Sequence, residues 1–110
     1  MQRFSLLQDE KKCYVCNTTY NIHIHEVFFG KNRKKSIEDG CCVYLCGKHH
    51  NQSNDGVHFN SKLDSELKKQ MELYWLKEYN KTIDDFIKRY GRNYLWFYTL
   101  TMILKTGINT

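Results

Sequence analysis

The stretch CGKHHNQSND, residues 46–55, sets two adjacent histidines shortly after a cysteine. Cys46 and His49 form a C-x-x-H pair, and upstream Cys13 and Cys16 form C-x-x-C. Either spacing lets one tight knuckle aim two ligand atoms at a single ion. Together the pairs supply three sulfurs and one imidazole nitrogen, the tetrahedral set of closed structural Zn²⁺ sites. Residues 17–45 separate the knuckles, enough chain for a β-hairpin. The spacing therefore predicts a structural zinc held by Cys13, Cys16, Cys46 and His49, with His50 left over.

The 110 residues are one domain by length, with a modest core that a metal staple would help. An apolar fraction of 41% and an aromatic fraction of 15% fit a folded chain and argue against disorder. The opening MQRFSLLQDEKK turns charged too early for a secretory signal, so a cytoplasmic protein is expected. In that compartment five cysteines, an odd count, favour metal binding over disulfides. The longest apolar run, residues 95–104, is too short to span a bilayer, which needs about 20 residues. It reads as a buried element or as the contact of a homodimer. A formal charge of +5 favours a polyanionic partner, and GKNRKK at 30–35 concentrates Lys31, Arg33, Lys34 and Lys35 where backbone phosphates could be gripped.

The order of elements is that of an α+β domain. Residues 1–12 form a polar lead-in whose Phe4, Leu6 and Leu7 can pack on the core. Alternation through 21–28 predicts a first strand, the charged, glycine-bounded run 30–40 a loop, and CCVYL at 41–45 a second strand of the hairpin. Cys41 and Cys42 face opposite sides of that strand and read as packing residues. A short helical turn over 48–53 is stopped by NDG at 54–56. A longer helix begins at Ser61, with Ser61 and Asp64 as its capping box and Leu63, Leu67, Met71, Tyr74 and Trp75 as its core stripe. Thr82 and Asp85 repeat the capping signal for a helix over 83–90 closed by Gly91, and residues 95–110 form an apolar tail.

Four of the five histidines lie outside the zinc set. Strand alternation puts His23 and His25 on one face and Glu26 on the other. A helix starting near His50 places Asn54 on its face four residues later, and His58 follows closely enough to reach back. Zinc at the knuckles would draw His25 and His50 together. Such convergence suits an open metal site, where three protein ligands or fewer leave room for water and substrate.

The run HEVFFGKNRKKSIEDGCCVYLCGKHHNQSNDGVHFN, residues 25–60, resembles the ββα-metal core of HNH endonucleases, especially the small phage and prophage branch. The likeness covers residues 13–94, with GRNYL at 91–95 also fitting. It implies a metal-dependent endonuclease cutting phosphodiester bonds, with DNA the favoured substrate, RNA left open and a bacterial host cell as the setting. His25-Glu26 would be the strand dipeptide, with His25 the general base and Glu26 its competitor, or else His25 a ligand and Glu26 the base. His50, with Asn54 or His58, would hold one catalytic cation: Mg²⁺, Mn²⁺, Ni²⁺ or Zn²⁺. The family's central asparagine would fall near Cys41, where this chain has none, so Asn54 or Asn51 is the amide that could replace it. The competing expectation is a zinc-knuckle nucleic-acid-binding module without catalysis.

Overall fold

The computed structural model describes residues 3–95. Strands β1 (Ile22–Glu26) and β2 (Cys42–Cys46) pair antiparallel, with His23 opposite Leu45 and His25 opposite Val43. β1 is shorter than the alternation through 21–28 suggests, and β2 has the expected length shifted by one residue. The sheet continues without a break into α2 (Gly47–His50), and α3 (Ser61–Tyr79) and α4 (Ile83–Tyr90) follow. The result is an α+β unit with one two-stranded sheet and four α-helices among the described residues.

The connection between the strands is helical, not a loop. A 3-10 turn (Gly30–Asn32) leads into α1 (Arg33–Asp39). Charge and flanking glycines obscured a tertiary reason for order. Ser36 is fully buried, and its hydroxyl accepts from the Phe28 amide at 3.1 Å and donates to the Phe28 carbonyl at 2.7 Å. Such bonds satisfy backbone groups just past β1 that would otherwise be buried without partners.

At the other end of α1, Asp39 collects donors from two later helices. Its carboxylate accepts from Trp75 Nε1 at 2.8 Å, from the Tyr90 hydroxyl at 2.7 Å and from both Nε and an NH2 of Arg89. A charged acceptor shared by a two-pronged guanidinium is among the stronger protein hydrogen-bond arrangements. Beneath it Phe28, Trp75, Phe86 and Tyr90 pack edge to face or tilted, with Phe86 and Tyr90 stacked, and Leu67 and Met71 are buried with them. The α3 stripe thus runs Leu63, Leu67, Met71, Trp75, whereas Tyr74 lies off it and is exposed.

The start of α3 differs by one residue from the expected cap. Asn60, not Ser61, is the N-cap, and its side chain accepts from the Lys62 and Leu63 amides, both at 3.2 Å. An Asn carbonyl at that position reaches the second and third amides, and Asp64 is freed to pair with Lys68 at 2.8 Å. The α4 box is as expected: Thr82 and Asp85 bond reciprocally and Gly91 closes the helix.

The lead-in covers the open edge of β2. Gln8 accepts from the Tyr44 amide and Tyr14 donates to the Tyr44 carbonyl, both at 2.8 Å, while Leu6 and Leu7 pack on the core. Pairing an edge in this way removes a template for aggregation. Phe4 remains 46% exposed. Leu95 is fully buried, so the core extends one residue into the expected tail. The rest of that tail, with its proposed dimer contact, lies outside the described residues. No helix among the described residues is long and apolar enough to cross a membrane.

Two candidate metal centres on the hairpin and its short helix

The two knuckles meet. Cys13, Cys16, Cys46 and His49 bring one ligand atom each within 4.8 Å of all the others. Cys16 Sγ is 3.8 Å from Cys46 Sγ, while His49 Nδ1 lies 3.7 Å from Cys13 Sγ and 3.3 Å from Cys46 Sγ. A tetrahedral zinc with ordinary Zn–S and Zn–N lengths has edges of about 3.5–3.8 Å, so the donor set fits a structural ion such as zinc. The Cys13–Asn17 turn aims both sulfurs: the Asn17 amide donates to the Cys13 carbonyl and the Cys13 amide to Thr18.

Thiolate chemistry follows position. Burial pushes the Cys13 thiol up, but backbone amides of Cys46, Cys16 and Val15 outweigh it and bring it down to about 6, toward the form that binds metal. Burial instead raises Cys46. Cys41 and Cys42 are both buried and pushed up to about 12, mainly by desolvation, which matches their expected role in packing.

The second cluster gathers His25, His50 and His58, again within 4.8 Å of one another. They grade from core to surface: His25 is buried, His50 half-buried and His58 exposed. His25 comes from β1 and His50 from the last position of α2. His58 arrives because the chain doubles back, its amide donating to the His50 carbonyl at 3.2 Å and that of Val57 to His49 at 2.8 Å. Gly56 permits the return, since a Cβ there would lie 2.6 Å from the His50 carbonyl oxygen.

Two observations bear on what this cluster can hold. His50 Nε2 and His58 Nε2 are 3.1 Å apart, close to the edge of about 3.3 Å spanned by two imidazoles on one tetrahedral ion. His25 Nε2 is buried with no hydrogen-bond partner among the described residues. Burial, reinforced by His50, His58 and Lys68, pushes His25 down to about 3, and burial with His58 and His23 pushes His50 to about 4. Both rings are therefore neutral, as coordination requires.

Other expected site residues fall elsewhere. Glu26, on the opposite face of β1, accepts from Arg3 at 2.9 Å and Arg33 at 3.2 Å. Those two guanidiniums meet the need for pairing that a carboxylate beside an apolar strand face creates. Because α2 ends at His50, the helical spacing that linked Asn54 to it does not exist; Asn54 is exposed in the following turn and Asn51 caps the helix. Of the four cations, Lys35 donates to the Arg89 carbonyl at 2.7 Å and Arg33 pairs with Glu26, while Lys31 and Lys34 are exposed. The residue underread from sequence is His23, whose Nδ1 stands 2.9 Å from His50 Nδ1. Its place on the His25 face of the strand was the available signal.

Comparison with models of known families, with curated proteins and with solved structures finds no match to this chain.

Proposed function

We propose that this chain is a metal-dependent endonuclease of the ββα-metal (HNH) kind, hydrolysing phosphodiester bonds in DNA in the cytoplasm of a bacterial cell. The supporting frame is an antiparallel pair running directly into a short helix, braced by a Cys/His cluster at the junction. One observation carries the reading: a buried imidazole nitrogen, His25 Nε2, without a partner among the described residues and grouped with His50 and exposed His58. Buried polar atoms are nearly always satisfied, so the orphan asks for an acceptor of its lone pair.

His25, His50 and His58 would hold the ion, with His58 at the solvent side where a phosphate can enter. A divalent cation bound there would supply Lewis-acid stabilisation of charge building on the phosphate. Three imidazoles favour Ni²⁺ or Zn²⁺ over Mg²⁺, which prefers oxygen donors. With His25 taken as a ligand, the dipeptide leaves Glu26 as the general base. That role would require its carboxylate to leave Arg3 and Arg33 and reach a water at the ion from the opposite face of β1. Arg3 and Arg33, which hold its carboxylate, would be free to meet phosphate once they release it. Lys31 and Lys34 would grip the backbone without reading bases.

The test is cleavage of supercoiled DNA across Ni²⁺, Zn²⁺, Mn²⁺ and Mg²⁺, beside His50→Ala and Glu26→Gln. Expected are metal-dependent cutting by the wild type and a loss of at least about a hundredfold in His50→Ala, since even outer partners of metal ligands are worth 10- to 100-fold. Glu26→Gln should lower turnover and leave metal affinity unchanged. Salt-sensitive DNA binding with no cutting under any ion would replace the enzyme with the non-catalytic binding module.

A further inference from the structure

His23 is the histidine that neither cluster uses. It precedes His25 by two residues on β1 and pairs across the sheet with Leu45. Its Nδ1 lies 2.9 Å from His50 Nδ1, with the rings edge to face at 88° and 5.0 Å between centroids. At that separation one nitrogen carries the proton and the other presents a lone pair. The far nitrogen of the same ring, His50 Nε2, stands 3.1 Å from His58 Nε2.

A neutral imidazole has a single N–H. With the proton on Nε2, His50 would point hydrogen at the place where the three ring nitrogens converge. With it on Nδ1, His50 offers a lone pair there. The partner at Nδ1 therefore decides whether His50 can coordinate.

We propose that His23 is a positioning residue for the three-histidine centre, accepting the Nδ1–H of His50 on its own Nδ1 and keeping its own proton on Nε2. This rests on the reading of that centre given above. His23 locks both the tautomer and the ring orientation of His50, a task that carboxylates and carbonyls perform in other metal sites. As a neutral acceptor it does so without adding negative charge beside a phosphate.

Calorimetric titration of Ni²⁺ into the zinc-loaded full-length protein tests this, run on the wild type, His23→Ala, His23→Gln and His50→Ala. His23→Ala should weaken Ni²⁺ binding about 10- to 100-fold with the zinc content of the Cys/His cluster unchanged, and His23→Gln, which keeps a side-chain acceptor, should recover part of the loss. Before Ni²⁺ is added, ¹⁵N chemical shifts of wild-type His50 should report the Nδ1–H tautomer. Wild-type affinity in His23→Ala, alongside loss in His50→Ala, overturns the positioning role and leaves the metal centre standing. Wild-type affinity in His50→Ala removes the centre itself. An Nε2–H tautomer of His50 overturns the proposal whatever the variants do.

Discussion

The two histidine-bearing clusters share adjacent residues, His49 and His50, yet differ in everything that decides their chemistry. The Cys13, Cys16, Cys46 and His49 set supplies three soft sulfurs and one imidazole nitrogen, two of the four residues buried, and closes on itself. The His25, His50 and His58 set supplies three imidazole nitrogens graded from core to solvent. Four donors saturate a tetrahedral ion and leave it only a structural task; three leave a position for chemistry. The backbone makes the division: α2 begins immediately after Cys46, and the helical turn sends successive side chains to different faces.

The largest effect should come from the closed set. Cys46→Ser, or a strong chelator applied to the wild type, should unfold the domain or lower its melting temperature by tens of degrees, since structural zinc binding supplies on the order of 10 kcal/mol in small metal domains. Circular-dichroism melts measure it. The same melts should leave His50→Ala nearly as stable as the wild type at its zinc-loaded site. Equal destabilisation of both variants would erase the distinction between the clusters.

A second comparison sharpens the meaning of an orphaned buried atom. Glu72 is fully buried, its Oε1 accepts from the Tyr94 amide at 2.8 Å, and its Oε2 has no partner among the described residues. Where His25 has neighbouring imidazoles that could share an ion, Glu72 has a raised affinity for a proton. Burial raises it from 4.5 to about 7, against the opposing pull of the Tyr94 amide. The folded state thus binds the proton more tightly than the unfolded one. Stability falls as pH rises from about 4.5 toward 7, and the penalty is complete above that. Glu72→Gln should therefore stabilise the protein by up to about 3 kcal/mol at pH 8 and by much less at pH 4, measured by urea denaturation. Equal effects at both values would mean that Glu72 is not protonated in the fold.

Asn60→Ala should cost about 1 kcal/mol by removing the α3 cap, and Ser61→Ala a few tenths at most. Because α3 begins just after His58, the Asn60 variant also asks whether fraying there loosens the open cluster while leaving the closed one intact. Ni²⁺ affinity compared with zinc content reads this directly. Last, under the proposed function, Lys34→Ala should reduce the salt dependence of the DNA binding that reading expects by a slope of about 1, with Lys35→Ala changing it less because Lys35 already bonds the end of α4.

The closed set was legible because C-x-x-C and C-x-x-H each place two ligands within a single turn of backbone. The α4 cap was legible for the same reason, and the α3 stripe nearly so. Interactions between distant segments were not. The charged run 30–40 reads as a loop until Ser36 meets Phe28 and Asp39 meets Trp75, Arg89 and Tyr90. Asn54 was favoured by a helical spacing that ends at His50, and His58 became a firm member only through the return at Gly56.

By itself, then, the sequence determined the strands and the later helices, though not α1, together with the donor atoms of one metal cluster and the pool of histidines available for another. Tertiary structure alone decided which histidines share a point in space, which cations are already engaged, and that Glu26 faces two arginines. Local spacing sets geometry over one turn of chain. Convergence of side chains from a strand, a helix end and a turn depends on how those elements pack.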